Sequence, residues 1–289
     1  MSDEIRVPPA WKRVDVSTLT GTIMIIGASD TGKSTFARYL FRRLVEYYPR
    51  VGLLDCDVGQ SSLGLPTTLT LALSTSATEG KPAWNERLAY FVGAISPRGH
   101  MLPVVVGAHK LQRRAQQWGV GALVVDTTGL VDAAAGGGAL KQWKIELLEP
   151  TTVFAFARGV ELEHILWPWR RDPRVRVIEL PVPRAVTERS REKRIRYRAE
   201  RWKEYFSRAA TVRLNLRRLA VFGLEAMTPG RLLALQDADG FALGLGVVRH
   251  YDPHTQAVAI CTPLPSLEGV VSLRLGTLGL DPVTGREMY

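Results

Sequence analysis

Nine residues restrict this chain more than any others: Gly27, Ala28, Ser29, Asp30, Thr31, Gly32, Lys33, Ser34 and Thr35 contain the pattern G-x-x-x-x-G-K-[ST], with Gly27, Gly32, Lys33 and Ser34 at its fixed positions. The pattern works only where a strand turns tightly into a helix. There the backbone N–H groups of the turn converge on one anion, and glycine lets the chain bend and approach that closely. Both flanks are present. Thr22 to Ile26 is a β-rich apolar run, and Phe36 to Tyr47 carries apolar residues at helical spacing. The segment predicts a strand–loop–helix unit whose ligand is a nucleoside triphosphate, ATP or another NTP. Lys33 would neutralise the β and γ phosphates, Ser34 would offer its hydroxyl to Mg²⁺, and the positive end of the helix dipole would face the anion.

Further strand candidates follow at Val51–Asp55, Leu88–Val92, Ala122–Asp126, Thr152–Ala157 and Val175–Leu180, with helical segments between them. This alternation predicts an α/β P-loop domain over residues 19–208, with a largely parallel sheet flanked by helices. Beyond about Val212 the texture changes to short apolar runs broken by Gly, Pro and Asp: Arg231–Leu235, Phe241–Val248, Ala257–Cys261 and Val270–Leu275. Residues 209–289 are therefore predicted to form a small β-rich domain. Residues 1–18, with Pro8 and Pro9, read as an irregular lead-in. Gly136, Gly137 and Gly138 read as a loop before a helix over Ala139–Leu148.

Composition narrows the setting. A chain of 289 residues that is 46% hydrophobic has ample material for a core. No apolar stretch reaches membrane-spanning length, and the first residues lack the basic start and apolar centre of a signal peptide, so a cytoplasmic protein with no membrane partner is expected. Cys56 and Cys261 are too few for a disulfide framework and sit in apolar surroundings, as reduced core residues. The net charge of +10 suits a polyanionic partner. Half of it is concentrated: Thr187 to Arg208 holds nine Lys/Arg against four Glu, a local +5.

Two further segments bear on chemistry. Leu53-Leu54-Asp55-Cys56-Asp57-Val58-Gly59-Gln60 is an apolar strand running out into two carboxylates at its C-terminal end, where open α/β sheets hold their ligands. Carboxylates there can hold the water shell of Mg²⁺ or accept a proton from an attacking hydroxyl. A single Asp at a strand end is often a turn residue, whereas two of them one helix after a P-loop point to chemistry. The basic segment, taken as a helix, lines up Arg191, Arg194, Arg198, Arg201 and Tyr205 beside an apolar stripe of Ile195, Ala199, Trp202 and Phe206. Arginine suits phosphoryl transfer because its planar fork stays charged and binds oxyanions bidentately.

Four motifs in this order resemble the Clp1/Grc3 family of polynucleotide 5′-hydroxyl kinases, over about residues 20–208 with a weaker echo beyond. They are the P-loop, Asp55 to Gln60, a clasp at Tyr90 to His100 containing Ser96, Pro97 and Arg98, and a lid carrying Arg189, Ser190, Arg194, Arg198, Tyr205 and Phe206. The resemblance implies transfer of the NTP γ-phosphate to the 5′-OH end of RNA or DNA, in RNA processing or nucleic-acid repair. By it, Asp57 is the general base and Asp55 organises Mg²⁺ with Ser34. Gln60, Ser96, Pro97, Arg98 and Thr128 hold the terminal nucleotide, and Arg189, Arg194 and Arg198 close over the phosphates beside Lys33. Helical periodicity instead groups Arg191 with Arg194 and Arg198.

Asp126-Thr127-Thr128-Gly129-Leu130-Val131 matches the family's Thr-x-Gly-x-Val strand end, with Leu130 where eukaryotic members place a base-stacking Trp. Trp84, Trp118, Trp143, Trp167 and Trp169 are the other aromatic candidates, though core or surface packing is the expected role of most of them. Arg158 to Glu163 also echoes the family, as a residue run near the adenine or as a helix cap. Three rival readings stand beside the kinase. A GTPase switch would use the Asp126-x-x-Gly129 spacing but needs an Asn-Lys-x-Asp element that the sequence lacks. A nucleoside or small-metabolite kinase needs neither the clasp nor a +5 helix. An ATP-bound nucleic-acid scaffold without turnover does not require the intact Lys33, Ser34, Asp57 and lid arginines.

Overall fold

The computed structural model describes residues 7–78 and 81–288, and the side chains of all of these except 75–85. The first six residues of the expected lead-in and the side chain of Trp84 lie outside the described residues. The chain forms two compact units. One comprises the described residues up to Asp57, with Leu69–Arg87 and Pro97–Arg189; the other comprises Val58–Thr68, Leu88–Ser96 and the chain from Ser190 onward.

Seven strands make the first sheet: β1 (Gly21–Gly27), β2 (Val51–Cys56), β3 (Thr68–Thr78), β4 (Lys81–Phe91), β5 (Ala122–Thr127), β6 (Thr152–Ala157) and β7 (Arg176–Pro181). Their order is β4-β3-β2-β5-β1-β6-β7. From β2 to β7 every pairing is parallel, while β3 runs antiparallel to β2. The expected α/β sheet is thus present, and β1 is an inner strand buried from Thr22 to Gly27. Apolar runs without alternation are what a parallel sheet covered on both faces requires. Strand β3 was not anticipated, although Thr68-Leu69-Thr70-Leu71 alternates at the two-residue strand period.

The helices associated with this sheet are α1 (Pro9–Lys12), α2 (Lys33–Leu44), α3 (Met101–Gln117), α4 (Gly137–Leu148) and α5 (Glu163–Trp169). Two expectations are corrected here. The lead-in is not irregular throughout: Pro9 opens α1, which proline favours in a first turn. It places Trp11, 2% exposed, against Phe36, Tyr39 and Phe156 at ring-centroid distances of 5.1, 5.7 and 6.3 Å. The three glycines are not all loop either. Gly136 is the left-handed N-cap at φ +74°, and Gly137 and Gly138 form the first turn of α4. A Cβ on Gly137 would come within 2.7 Å of the Val131 backbone, and one on Gly138 within 2.7 Å of the His164 ring, so close packing demands glycine.

The second unit contains α6 (Arg191–Phe206) and a sheet in the order β14-β13-β10-β11-β12-β8, with β9 on β13. The strands are β8 (Ala210–Asn215), β9 (Ala220–Phe222), β10 (Arg231–Gln236), β11 (Ala242–Asp252), β12 (Ala257–Thr262), β13 (Ser272–Leu280) and β14 (Glu287–Met288). Ser190 caps α6 by accepting the Lys193 N–H at 3.3 Å. The basic helix was expected within the P-loop domain; in the structure it packs with the second unit, which takes in the chain from Ser190 onward. Trp202 and Phe206 enter a core with Phe91, Leu232, Ala234, Leu245, Val247 and Leu278. A periodic apolar stripe tells that a helix is covered on one side, not which sheet covers it.

Candidate active site

The P-loop sits where β1 ends. Gly32, at φ +89°, caps α2, and a Cβ on Gly27 would lie 2.6 Å from the Phe156 carbonyl, so both glycines are required by geometry. Lys33 Nζ donates to the Ala28 carbonyl at 2.6 Å, and Thr31 Oγ1 donates to the same oxygen at 2.9 Å. Burial lowers the Lys33 pKa, an effect opposed by the nearby Asp126, Asp57 and Asp30 carboxylates. An ammonium so placed has a strong demand for further negative charge.

The outer side of the loop is tied down by residues from two other segments. The Arg158 guanidinium donates to the Asp30 carbonyl and, at 3.4 Å, to that of Ser29. Glu161 accepts the Arg158 and Gly159 N–H groups at 2.6 and 2.7 Å, so Arg158–Glu161 is a carboxylate-capped turn that aims an arginine at the P-loop backbone. Asp30 Oδ2 accepts the Arg189 N–H at 3.1 Å, and Pro183 and Val186 lie against Gly32. The stretch leading to Arg189 therefore runs along the P-loop, with Arg189 itself just ahead of the Ser190 cap.

Three carboxylates converge at adjacent strand ends. Asp55 and Asp126 are register partners on β2 and β5, and Asp126 also pairs in register with Ile25 of β1. The Asp57 N–H donates to Asp55 Oδ1 at 2.9 Å, which turns the chain just past the strand. Asp55 and Asp126 are buried, whereas Asp57 is partly exposed. Asp126 was absent from the expected kinase site, and the sheet order brings it beside Asp55. The signal was available as a third apolar strand ending in Asp.

Burial, and next the Asp55 charge, push the Asp126 pKa up to about 7, against the pull of Lys33 and a hydrogen bond from Ser34. Its Oδ1 has no hydrogen-bond partner among the described residues. An orphaned carboxylate oxygen beside the Ser34 hydroxyl fits a hard divalent cation such as Mg²⁺, which seeks oxygen ligands. Raised from 3.8, the Asp126 carboxyl favours the folded state in its protonated form. Its contribution is fully present below about pH 4 and is lost as pH rises through about 7. In metal-free protein the melting temperature of Asp126→Asn should therefore rise relative to wild type between pH 5 and 8. A pH-independent difference would contradict this assignment.

Behind the carboxylates, α4 buries Lys141 and Lys144 completely. Lys141 Nζ donates to the Thr128 carbonyl at 2.6 Å, holding the end of β5, and burial lowers its pKa well below the usual lysine value. Gly129 follows, where a Cβ would lie 2.6 Å from the Ser29 nitrogen, so this strand end packs directly on the P-loop. Cys56 and Cys261 are free and buried as expected. Trp169 is buried, while Trp143 and Trp167 are exposed at 66% and 60%.

In the second unit, Gln60 Nε2 donates to the Gly59 carbonyl at 2.8 Å and to that of Arg194 at 3.4 Å. Ser96 and Arg98 are exposed, and Pro97 between them is buried. Arg198 requires a correction. Expected over phosphates, it is buried and donates from Nε and Nη2 to Glu287 at 2.6 and 2.8 Å, an ion pair with side chains 8% and 5% exposed. Arg201, placed in the same stripe, donates to the Gly64 carbonyl at 2.7 Å. Arg191 is exposed and Arg194 partly so.

A parallel sheet with a P-loop at the end of an inner strand and carboxylates at the ends of the next two defines a P-loop NTPase-type protein. Residues 27–208 match the model of the family described as mRNA cleavage and polyadenylation factor CLP1 P-loop. The chain belongs to this Clp1 family. It is 28% identical to a polyribonucleotide 5′-hydroxyl-kinase of Pyrococcus abyssi, across 92% of this chain and 90% of that protein. It is 26% identical to one of Methanocaldococcus jannaschii, across 90% and 87%. Among solved structures, Clp1p in a Clp1p–Pcf11p complex superposes with a TM-score of 0.65 at 12% identity, covering 91% of this chain and 75% of that one. At that identity the likeness speaks for the fold. No helix among the described residues is long and apolar enough to cross a membrane.

Proposed function

We propose that this chain is a polynucleotide 5′-hydroxyl kinase that transfers the γ-phosphoryl group of ATP or another NTP to the 5′-OH of a nucleic-acid end. The observation that carries the reading is the grouping of Lys33, Ser34, Asp55, Asp57 and Asp126 at the ends of β1, β2 and β5. The named activity of the Pyrococcus and Methanocaldococcus relatives supports it and favours RNA as acceptor. A cytoplasmic setting accords with two buried free thiols.

In this mechanism Asp57, the least buried of the three carboxylates, accepts the proton of the attacking hydroxyl. Lys33 offsets charge on the β and γ phosphates, and the P-loop N–H groups orient them for in-line attack. Ser34, Asp55 and Asp126 would hold Mg²⁺, which when bound would neutralise charge on the phosphates. Arg194 and Arg189, by family resemblance, offset charge on the transferring group. Gln60, Ser96, Pro97, Arg98 and Thr128 are assigned to the acceptor.

Incubation with γ-labelled ATP and matched 5′-OH RNA, 5′-OH DNA and free nucleosides tests the reading. Label is expected on polynucleotide 5′-ends, with RNA preferred. Label on nucleosides alone would make the protein a small-metabolite kinase. ATP binding with no labelled product would favour the scaffold.

A further inference from the structure

The segment that follows Asp57 is an irregular loop from Val58 to Thr68, containing Gly59, Gly64 and Pro66, with little regular structure of its own to hold it. Its two ends meet through the Thr67 N–H, which donates to the Val58 carbonyl at 2.8 Å, and the Ser61 hydroxyl accepts the Gly64 N–H at 2.9 Å. The Val92 and Gly93 N–H groups donate to the Thr67 carbonyl at 2.8 and 3.2 Å, and further bonds come from α6. Tyr197 Oη donates to the Ser61 carbonyl at 2.8 Å, Arg201 Nη2 donates to the Gly64 carbonyl at 2.7 Å, and the Arg194 carbonyl accepts from Gln60 Nε2 at 3.4 Å. Residues 194, 197 and 201 are spaced i, i+3, i+7, the interval at which side chains share a helix face.

The helix is itself fixed on its opposite side. Trp202 and Phe206 are in the core of the second unit, Arg198 is paired with Glu287, and Gly285 is pressed against the Ala199 backbone, where a Cβ would fall 2.3 Å from its carbonyl oxygen. A well-anchored helix thus presents two side-chain donors to backbone carbonyls of a loop that carries Gln60. The stripe of Arg191, Arg194, Arg198 and Arg201 was expected to meet phosphate. In the structure Tyr197 and Arg201 serve the loop.

We propose that Tyr197 and Arg201 are positioning residues for the nucleic-acid acceptor: they hold loop 58–68 in the shape that presents Gln60 to the 5′-terminal nucleotide. The role touches neither the NTP nor the reacting atoms, and it rests on the kinase reading above. One face of α6 thereby shapes acceptor recognition, although its arginines read in sequence as a donor-side lid.

Tyr197→Phe removes a single hydroxyl and Arg201→Met a single guanidinium, while the anchoring residues Arg198, Trp202 and Phe206 stay in place. Steady-state kinetics with a 5′-OH RNA oligonucleotide should show KM for the acceptor raised about fivefold in Tyr197→Phe, the fold-change expected of one hydrogen bond, and more in Arg201→Met. KM for ATP should stay within about twofold of wild type. Amide hydrogen exchange should quicken within 58–68 and not in β10 or β13. An active wild type with unchanged acceptor KM in both variants, or with KM for ATP rising equally, overturns the positioning role alone. A wild type that labels no polynucleotide end removes the kinase reading and this proposal together.

Discussion

Asp57→Ala is expected to lower the rate of phosphoryl transfer by about 10²–10⁴-fold, the range that a positioned general base contributes, while nucleotide binding persists. The three carboxylates differ in access. Asp55 and Asp126 are 1% and 3% exposed, and Asp126 takes a hydrogen bond from Ser34 near Lys33, whereas Asp57 is partly open to solvent, one residue past the end of β2. An incoming hydroxyl meets Asp57 most readily. Its backbone N–H is held by Asp55 Oδ1, so the alanine variant keeps the turn and loses only the carboxylate. Asp57→Asn should be equally inactive, because an amide of the same size takes no proton. Single-turnover transfer to a 5′-OH oligonucleotide, alongside titration with a fluorescent ATP analogue, separates chemistry from binding. Either variant working at the wild-type rate would move the base elsewhere.

The second large effect concerns stability. Glu287→Ala should cost roughly 3–5 kcal/mol, the penalty for leaving one partner of a buried ion pair uncompensated. The pair is well built for such a loss: both carboxylate oxygens of Glu287 accept from Arg198, and the Trp202 indole also points to Oε1 at 3.4 Å. Against total stabilities of about 5–15 kcal/mol, denaturant unfolding will register the change easily. The apolar double variant Arg198→Met/Glu287→Leu should recover most of the loss, since no charge is left buried without a partner. It should also retain transfer to within about tenfold of wild type. Arg194→Ala, by contrast, should lose activity in the range of about 10³–10⁵ characteristic of transition-state arginines. A stable but inactive double variant would return Arg198 to the phosphates.

Some of this was legible residue by residue. The P-loop is a contiguous motif whose function resides in its own backbone, so Gly27 to Thr35 announces its turn, its helix and its anion site without reference to the rest of the chain. Asp55 and Asp57 were legible for a similar reason, as polar residues ending an apolar strand. The strand β3 and the helix at Trp11 were missed although each carries a local signal: two-residue alternation in one, proline before a large aromatic in the other. The basic helix was found, and Trp202 and Phe206 of its expected apolar stripe are buried, whereas Ile195 of the same stripe is 44% exposed.

What the sequence by itself determined, then, is that a nucleoside triphosphate is the ligand expected at Gly27–Thr35 and that carboxylates follow at a strand end. Only the tertiary structure brought Asp126 beside Asp55, because strand order, and not spacing along the chain, decides which strand ends are neighbours. It alone separated the arginines of α6, which are alike in type and period. Arg198 is committed to a glutamate 89 residues away and Arg201 to a carbonyl 137 residues away. A guanidinium answers to whatever oxygen the fold places in its reach, and that partner is set by packing at a distance no local pattern records.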